Sequence, residues 1–333
     1  MSIKLSNGHN MPLVGLGCSV FPEPPSVVEK AVETALDIGY KHFDTATLYN
    51  TELHLGNALR KAFDAGKVKR EDLFIVTKLP QNAMAPERVS QFMDKALRDL
   101  QLQYVDLYLV HWPVGMLYRG NEKEMVPVDG DGNYLYDANT DLEAIWKEME
   151  KLVESGRAKS IGVSNFNEKQ LERILKIAKI PPVNNQVELH AYLQQPQLRE
   201  FCNKHGISLT AYYPLGGLSR KDYPAKLKIT VAPKLLEDPV VLDLAKKYNR
   251  SPAQILLRFS TQLDVAVIPK SSNPSRQLEN FQIMDFTLKN EDLELLKSLD
   301  QGESARSCFS WPGAEKHPEY PFGHARFVPP PAE

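Results

Sequence analysis

Short apolar, β-branched runs alternate with longer amphipathic stretches along almost the whole chain, and eight such pairs follow a turn signal at Ser6-Asn7-Gly8-His9. Strand and helix alternating at this spacing imply parallel strands joined by right-handed crossovers, which leaves a closed barrel or an open doubly wound sheet. Eight strands close a barrel. The expected fold is therefore α/β, a (β/α)8 TIM barrel with an amino-terminal β-hairpin cap and long loops on its carboxyl-terminal face. Strands are expected at residues 14–17, 42–44, 73–79, 106–111, 160–164, 184–188, 208–212 and 265–269. Helices are expected at 27–38, 52–65, 86–100, 141–155, 168–178, 195–205 and 274–284. Pro86, Pro196 and Pro274 suit the first helical turn, where a missing N–H costs nothing. One domain is expected over residues 1–333.

Composition narrows the function classes. Of 333 residues 42% are hydrophobic and 25% charged, with 40 Lys and Arg against 42 Asp and Glu, so a large core can form and no basic stripe invites nucleic acid. Met1-Ser2-Ile3-Lys4 lacks a basic region followed by an apolar run, and no stretch approaches ~18 apolar residues. A cytoplasmic location is expected. Cys18, Cys202 and Cys308 are widely scattered, as reduced thiols would be, and offer no zinc ligand pair. A small molecule is the expected partner, with neither nucleic acid nor membrane involved.

Three segments break the simple repeat: residues 113–140, 213–237 and the tail 301–333. Each carries aromatics, namely Tyr118, Tyr134 and Tyr136, then Tyr223, then Trp311, Tyr320, Phe322 and Phe327. Insertions after strands lie on the face where barrels keep their sites, so these segments are expected to rim a substrate pocket, with 301–333 as a carboxyl-terminal substrate loop.

Consecutive strands deliver Asp44, Lys78 and His111 to one mouth, with Tyr49 five residues beyond Asp44. Any one of these residues alone would read as a cap, a solvated head or a satisfied core group. Together they solve one problem, making a phenol of ordinary pKa about 10 donate a proton near neutrality. An ammonium beside the phenol favours the phenolate; Asp44 can hold Lys78 in place, and His111 can orient a carbonyl. Such a site donates a proton without a nucleophile, so a hydride or an electron pair must come from elsewhere. Residues 268–276 run from the eighth strand into a helix, the usual barrel phosphate site. Asn273 is a plausible N-cap, Pro274 fits the first turn, and Arg276 there opposes the helix dipole unless an anion is bound. Glu279 and Asn280 share its face. Gly15-Leu16-Gly17 is no Rossmann fingerprint, because Val20 stands where the third glycine is required.

These residues resemble the aldo-keto reductase superfamily, in its aldose-reductase-like branch, over nearly the whole chain. Gly39-Tyr40-Lys41-His42-Phe43-Asp44-Thr45-Ala46 through Tyr49 resembles the first family signature, Ile161-Gly162-Val163-Ser164-Asn165-Phe166 the second, and Ile268-Pro269-Lys270-Ser271 with Arg276 the third. The resemblance implies a tetrad of Asp44, Tyr49, Lys78 and His111. It implies that Ser164, Asn165 and Gln186 hold the nicotinamide carboxamide, that Tyr212 stacks on the ring and that Leu215 also contacts the cofactor. Lys270, Ser271, Ser272, Asn273 and Arg276 would hold a 2′-phosphate, with Glu279 and Asn280 near the adenine, so NADPH is the expected cofactor. His111, where relatives that reduce a steroid double bond carry Glu, points to carbonyl reduction. A monomer is the family default.

The chain departs from the family pattern at Tyr213 and Gly217, where hydroxyl contacts to the pyrophosphate are in doubt, and at Thr51. Ser19 and Pro80 stand where aldose reductase is aromatic. A pocket walled by Ser19, Val20, Pro80, Trp112 and Trp311 is expected to be roomy, suiting ketones of steroid or ecdysteroid size or long aldehydes. Two other readings are an NADPH-loaded binding or sensor subunit with slow turnover, and a Schiff-base aldolase with Lys78 as nucleophile.

Overall fold

In the computed structural model, which describes residues 1–20, 23–217 and 234–323, the Asn7-Gly8 turn joins β1 (Ser2–Lys4) to β2 (Asn10–Pro12) as an antiparallel hairpin. Gly8 takes φ 90°, a conformation that costs glycine little. Leu5, Met11 and Leu13 pack onto Phe74, Val76, Leu107 and Ala266 near the amino ends of the strands. The hairpin thus plugs the end of the barrel away from the strand-end chemistry.

Eight parallel strands follow, each bonded to the next in chain order: β3 (Leu16–Gly17), β4 (His42–Asp44), β5 (Phe74–Leu79), β6 (Leu107–Val110), β7 (Ile161–Ser164), β8 (Asn184–Glu188), β9 (Ser208–Tyr212) and β10 (Val265–Val267). The seam between first and last closes through Gly15 N to Val267 O at 2.8 Å and Val267 N to Leu13 O at 2.8 Å. Gly17 sits on that seam, and a Cβ there would lie 2.7 Å from the Ile268 carbonyl oxygen. Only glycine lets the backbones approach so closely. The sheet is the expected (β/α)8 arrangement.

The helices are α1 (Val27–Ile38), α2 (Glu52–Asp64), α3 (Pro86–Leu100), α4 (Leu142–Glu154), α5 (Glu168–Ile177), α6 (Pro196–Lys204), α7 (Pro239–Tyr248), α8 (Pro252–Gln262), α9 (Pro274–Phe281) and α10 (Asn290–Lys297). Pro86, Pro196 and Pro274 each open a helix as expected. On α3, Val89, Phe92, Met93, Ala96, Leu97 and Leu100 form the buried stripe, and each large apolar side chain among them contributes about 1.5–3 kcal/mol.

Several boundaries differ from expectation for local reasons. The helix expected at 141–155 is shorter because Asp141 is its cap, accepting from Ala144 N at 2.9 Å, and Ser155 closes it. Gln195, expected inside a helix, has φ 47° and precedes α6. The strand expected at 265–269 stops at Val267, two residues before Pro269, which has no N–H to donate. The strand expected at 14–17 is regular only over Leu16–Gly17, Val14 making an isolated bridge to Val267. The strand expected at 106–111 narrows to Leu107–Val110, the Asp106 side chain accepting from Ile75 N at 3.0 Å. The helix expected at 274–284 ends at Phe281. α7, α8 and α10 lie outside the expected set.

Of the rim aromatics, Tyr134 stacks on Trp311 at 5.4 Å and the Tyr136 hydroxyl donates to Trp311 O at 2.7 Å, so the segment after β6 and the tail meet. Trp112 and Tyr320 both pack edge-on against Phe322, at 5.9 and 5.5 Å. Tyr118 does not join them. Its ring packs at 5.9 Å on Phe92 of α3, away from the tail. Tyr223 and Phe327 lie outside the described residues, as does most of the segment expected at 213–237. All three cysteines are free, and no helix among the described residues is long and apolar enough to cross a membrane.

Candidate active site

Asp44 is the last residue of β4, Lys78 the penultimate residue of β5, and His111 follows β6, so three adjacent strands carry their polar ends into the same mouth. Tyr49 reaches it from the short 3-10 turn Thr47–Tyr49. Lys78 Nζ lies 2.6 Å from Asp44 Oδ1, donates to Thr45 O at 2.8 Å and reaches the Tyr49 hydroxyl at 3.4 Å. The same hydroxyl lies 3.4 Å from His111 Nε2. The structure therefore brings all four expected residues together, with the phenol at the junction.

Burial decides how these groups behave. Lys78 is fully buried, and the loss of water pushes its ammonium below the ordinary lysine range, Asp44 opposing that shift. Burial also pushes His111 well below its usual value, and the nearby Lys78 charge adds to this. His111 is thus neutral near pH 7, an imidazole able to share a hydrogen bond without adding charge. Asp44 is fixed from a second side, where Gln186 Nε2 donates to Oδ2 at 2.7 Å.

Gln186 links this cluster to a second. Ser164 Oγ donates to Gln186 O at 2.7 Å, Asn165 Nδ2 donates to His111 O at 3.0 Å, and the Tyr212 hydroxyl donates to Asn165 Oδ1 at 2.6 Å. Asn165 adopts φ 62°, which turns its amide back toward the mouth and which asparagine tolerates better than most residues. Ser164, Asn165, Gln186 and Tyr212 are therefore one bonded group at the ends of β7, β8 and β9, beside His111. Leu215 is half-buried a few residues beyond.

At the far side of the mouth, Asn273 caps α9, its Oδ1 accepting from Arg276 N at 3.1 Å, and Pro274 takes the first turn. Gln277 Nε2 donates to Ser271 O at 2.7 Å and to Ala31 O at 3.0 Å, docking this turn against α1. Arg276 is exposed, Asn280 is buried, and Glu279 accepts from Ser251, the cap of α8. Lys270 and Ser272 both donate to one carboxylate, that of Glu23, Ser272 Oγ lying 3.0 and 3.1 Å from its two oxygens. Two donors of this turn thus already face an anionic group, and their chemistry suits an anion.

Among the pocket residues, Ser19 is exposed, while Val20 is 4% exposed and belongs to the main core. Pro80 and Trp112 are buried, and Trp311 is half-buried on the rim. Two carboxylates escaped the sequence reading. Glu23 is one. Glu188 is the other, fully buried at the end of β8, where it accepts from Ser307 N at 3.0 Å, Ser307 Oγ at 2.6 Å and Cys308 N at 2.8 Å. Burial opposes its ionisation, yet His190, Arg306 and Ser307 together hold its carboxyl below the usual range. Glu188 ends its strand as Asp44 does, so the strand-end rule that singled out Asp44 also applies to it.

Comparison with known proteins supplies the last observation. Residues 15–301 match the family model described as "Aldo/keto reductase family". Rho crystallin of Aquarana catesbeiana is 40% identical over 325 residues, 96% of each chain. Aldo-keto reductase family 1 member A1-A of Danio rerio is 41% identical over 330 residues, 96% of this chain and 98% of that one. A solved structure of the aldose reductase from Schistosoma japonicum superposes with a TM-score of 0.87 at 39% identity, over 97% of this chain and 99% of that one.

Proposed function

The chain belongs to the aldo/keto reductase family, and from that premise we propose that it reduces aldehydes and ketones to alcohols with NADPH, Tyr49 passing the proton to the substrate oxygen. The observation that carries the reading is the junction at the Tyr49 hydroxyl, 3.4 Å from both Lys78 Nζ and His111 Nε2. A buried ammonium donating to the phenol oxygen favours the phenolate and eases release of its proton. Neutral His111 takes one side of the carbonyl and fixes its direction, so that the oxygen meets the phenol as negative charge develops on it.

Asp44 and Gln186 act through Lys78, keeping its Nζ aimed at the phenol. Ser164, Asn165 and Gln186 would hold the nicotinamide amide, Tyr212 would face the ring, and Lys270, Ser271, Ser272, Asn273 and Arg276 would hold the 2′-phosphate, with Leu215, Glu279 and Asn280 nearby. The bound cofactor supplies the hydride. Trp112 packs edge-on against Phe322, and together with Trp311 these rings would wall the substrate side and keep water from the reacting atoms. With Ser19 and Pro80 contributing no aromatic ring, that wall suits hydrophobic aldehydes and ketones of steroid size. We place the protein in the cytoplasm as a monomer.

A panel of aldehydes, sugars and ketosteroids, followed by loss of NADPH absorbance, tests this reading. Turnover of apolar carbonyls that exceeds turnover of glucose is expected. Tight NADPH retention with no turnover on any carbonyl would instead favour the sensor reading.

A further inference from the structure

The turn that links β10 to α9 presents Lys270 and Ser272, and both spend their hydrogen bonds on a side chain from the other end of the sequence. Glu23 is 247 residues away from Lys270, in the segment between β3 and α1. The closure of the barrel seam brings the two together: Gly17 N donates to Pro269 O at 3.3 Å, and Gly17 bridges to Lys270. Neither partner is deeply buried, at 34% exposure for the Lys270 side chain and 37% for Glu23. A pair this exposed contributes about 0–1 kcal/mol and can open. It nevertheless holds the Glu23 carboxyl below the usual range, chiefly through the bond from Lys270, so it is an anion at neutral pH.

We propose that the Glu23 carboxylate is an intramolecular rival of the cofactor's 2′-phosphate for Lys270 and Ser272, and so sets how strongly this chain prefers the phosphorylated dinucleotide. The inference rests on the phosphate-clamp reading of residues 270–276. A dinucleotide carrying the 2′-phosphate must displace Glu23 before it can take the lysine and the serine. One carrying a free ribose 2′-hydroxyl need not, because a hydroxyl can donate to a carboxylate, which is how nicotinamide enzymes of another fold select NAD. With Glu23 in place, the discrimination against the unphosphorylated cofactor is narrower than the clamp residues alone would give.

The experiment measures binding of 2′,5′-ADP and 5′-AMP to the protein without cofactor, by calorimetry, in the wild type, in Glu23→Gln, in Lys270→Met and in the two combined. Glu23→Gln keeps the shape and removes the negative charge. It is expected to bind 2′,5′-ADP about fivefold more tightly, with no gain for 5′-AMP. Comparing the double variant with Lys270→Met alone should show that gain lost, because the rivalry is over that lysine. Equal 2′,5′-ADP affinity in wild type and Glu23→Gln overturns the role of Glu23 and leaves the clamp standing. A gain that persists without Lys270 overturns it too, since long-range charge would then suffice. A wild type that prefers 5′-AMP overturns the clamp itself and this inference with it. Unfolding midpoints of the variants, compared with wild type, show that each is folded during the titrations.

Discussion

Lys78 Nζ lies 2.6 Å from Asp44 Oδ1 in a site that water does not reach, the lysine side chain being 0% and the aspartate 2% exposed. Two opposite charges buried this deeply depend on each other, because removing one strands the other in a medium of low polarity. Lys78→Met is therefore expected to destabilise the fold by about 3–5 kcal/mol, besides abolishing reduction. Adding Asp44→Asn should recover stability without recovering activity. Urea unfolding of the single and double variants reads this directly, and a double variant no more stable than Lys78→Met would contradict the pairing.

Tyr49 is half-buried, with its hydroxyl 3.4 Å from His111 Nε2, and it is the proposed proton donor. Tyr49→Phe should lower kcat by about 10²–10⁴-fold, the usual contribution of a positioned proton donor. The affinity for NADPH should stay near that of the wild type, as followed by fluorescence titration. Survival of turnover would move the proton donor elsewhere in the mouth.

Glu52, at the start of α2, is buried against Thr77, whose hydroxyl donates to it at 2.6 Å. Burial raises its carboxyl to about 7, whereas an unfolded glutamate titrates near about 4.3. The folded state therefore keeps a proton that the unfolded chain has lost. The resulting stability is complete below the unfolded value and is lost as pH rises through the folded one. Glu52→Gln cannot ionise, so its stability relative to wild type should rise between about pH 4.3 and 7, by on the order of 3 kcal/mol. Denaturant unfolding at pH 5 and pH 8 tests this; a constant difference would mean that Glu52 keeps an ordinary carboxyl.

Gly17→Ala would place a methyl group 2.7 Å from the Ile268 carbonyl oxygen, a backbone atom that cannot swing aside. The seam must then part, and a loss of about 1–3 kcal/mol is expected, as for other overpacked core positions. Thermal unfolding measures it. A neutral result would show that the two strands tolerate a wider gap.

The meeting of Asp44, Lys78 and His111 was legible because parallel strands of a barrel all point their carboxyl ends one way, so the three had to converge once eight strands were recognised. Helix starts were legible at Pro86, Pro196 and Pro274, but Pro239 and Pro252, which open α7 and α8 in the same way, were passed over. α8 was harder, since residues 254–261 are all buried, with Gln254, Arg258, Ser260 and Thr261 among the apolar residues, so burial there leaves no simple apolar stripe to reveal the helix. Tyr118 was assigned to the rim because its segment follows a strand, but an insertion of this length can turn back over the outer helices, and Phe92 receives that ring. Glu188 ends its strand as Asp44 does and could have been found by the same rule, but Glu23 was missed because its partners, at 270 and 272, are remote in sequence. Proximity of that kind exists only after folding.

The tail's attachment to Glu188 rests partly on the backbone N–H groups of residues 307 and 308, which every amino acid except proline can offer. The tail is therefore fastened at a point that makes few demands on which side chains it carries. Trp311, Tyr320 and Phe322 are free to be exchanged for other shapes while the clasp and the proton-donating cluster beneath it stay as they are. If the tail rims the substrate pocket as proposed, a chain built this way can acquire a new substrate by redrafting the last part of its sequence, leaving the reaction untouched.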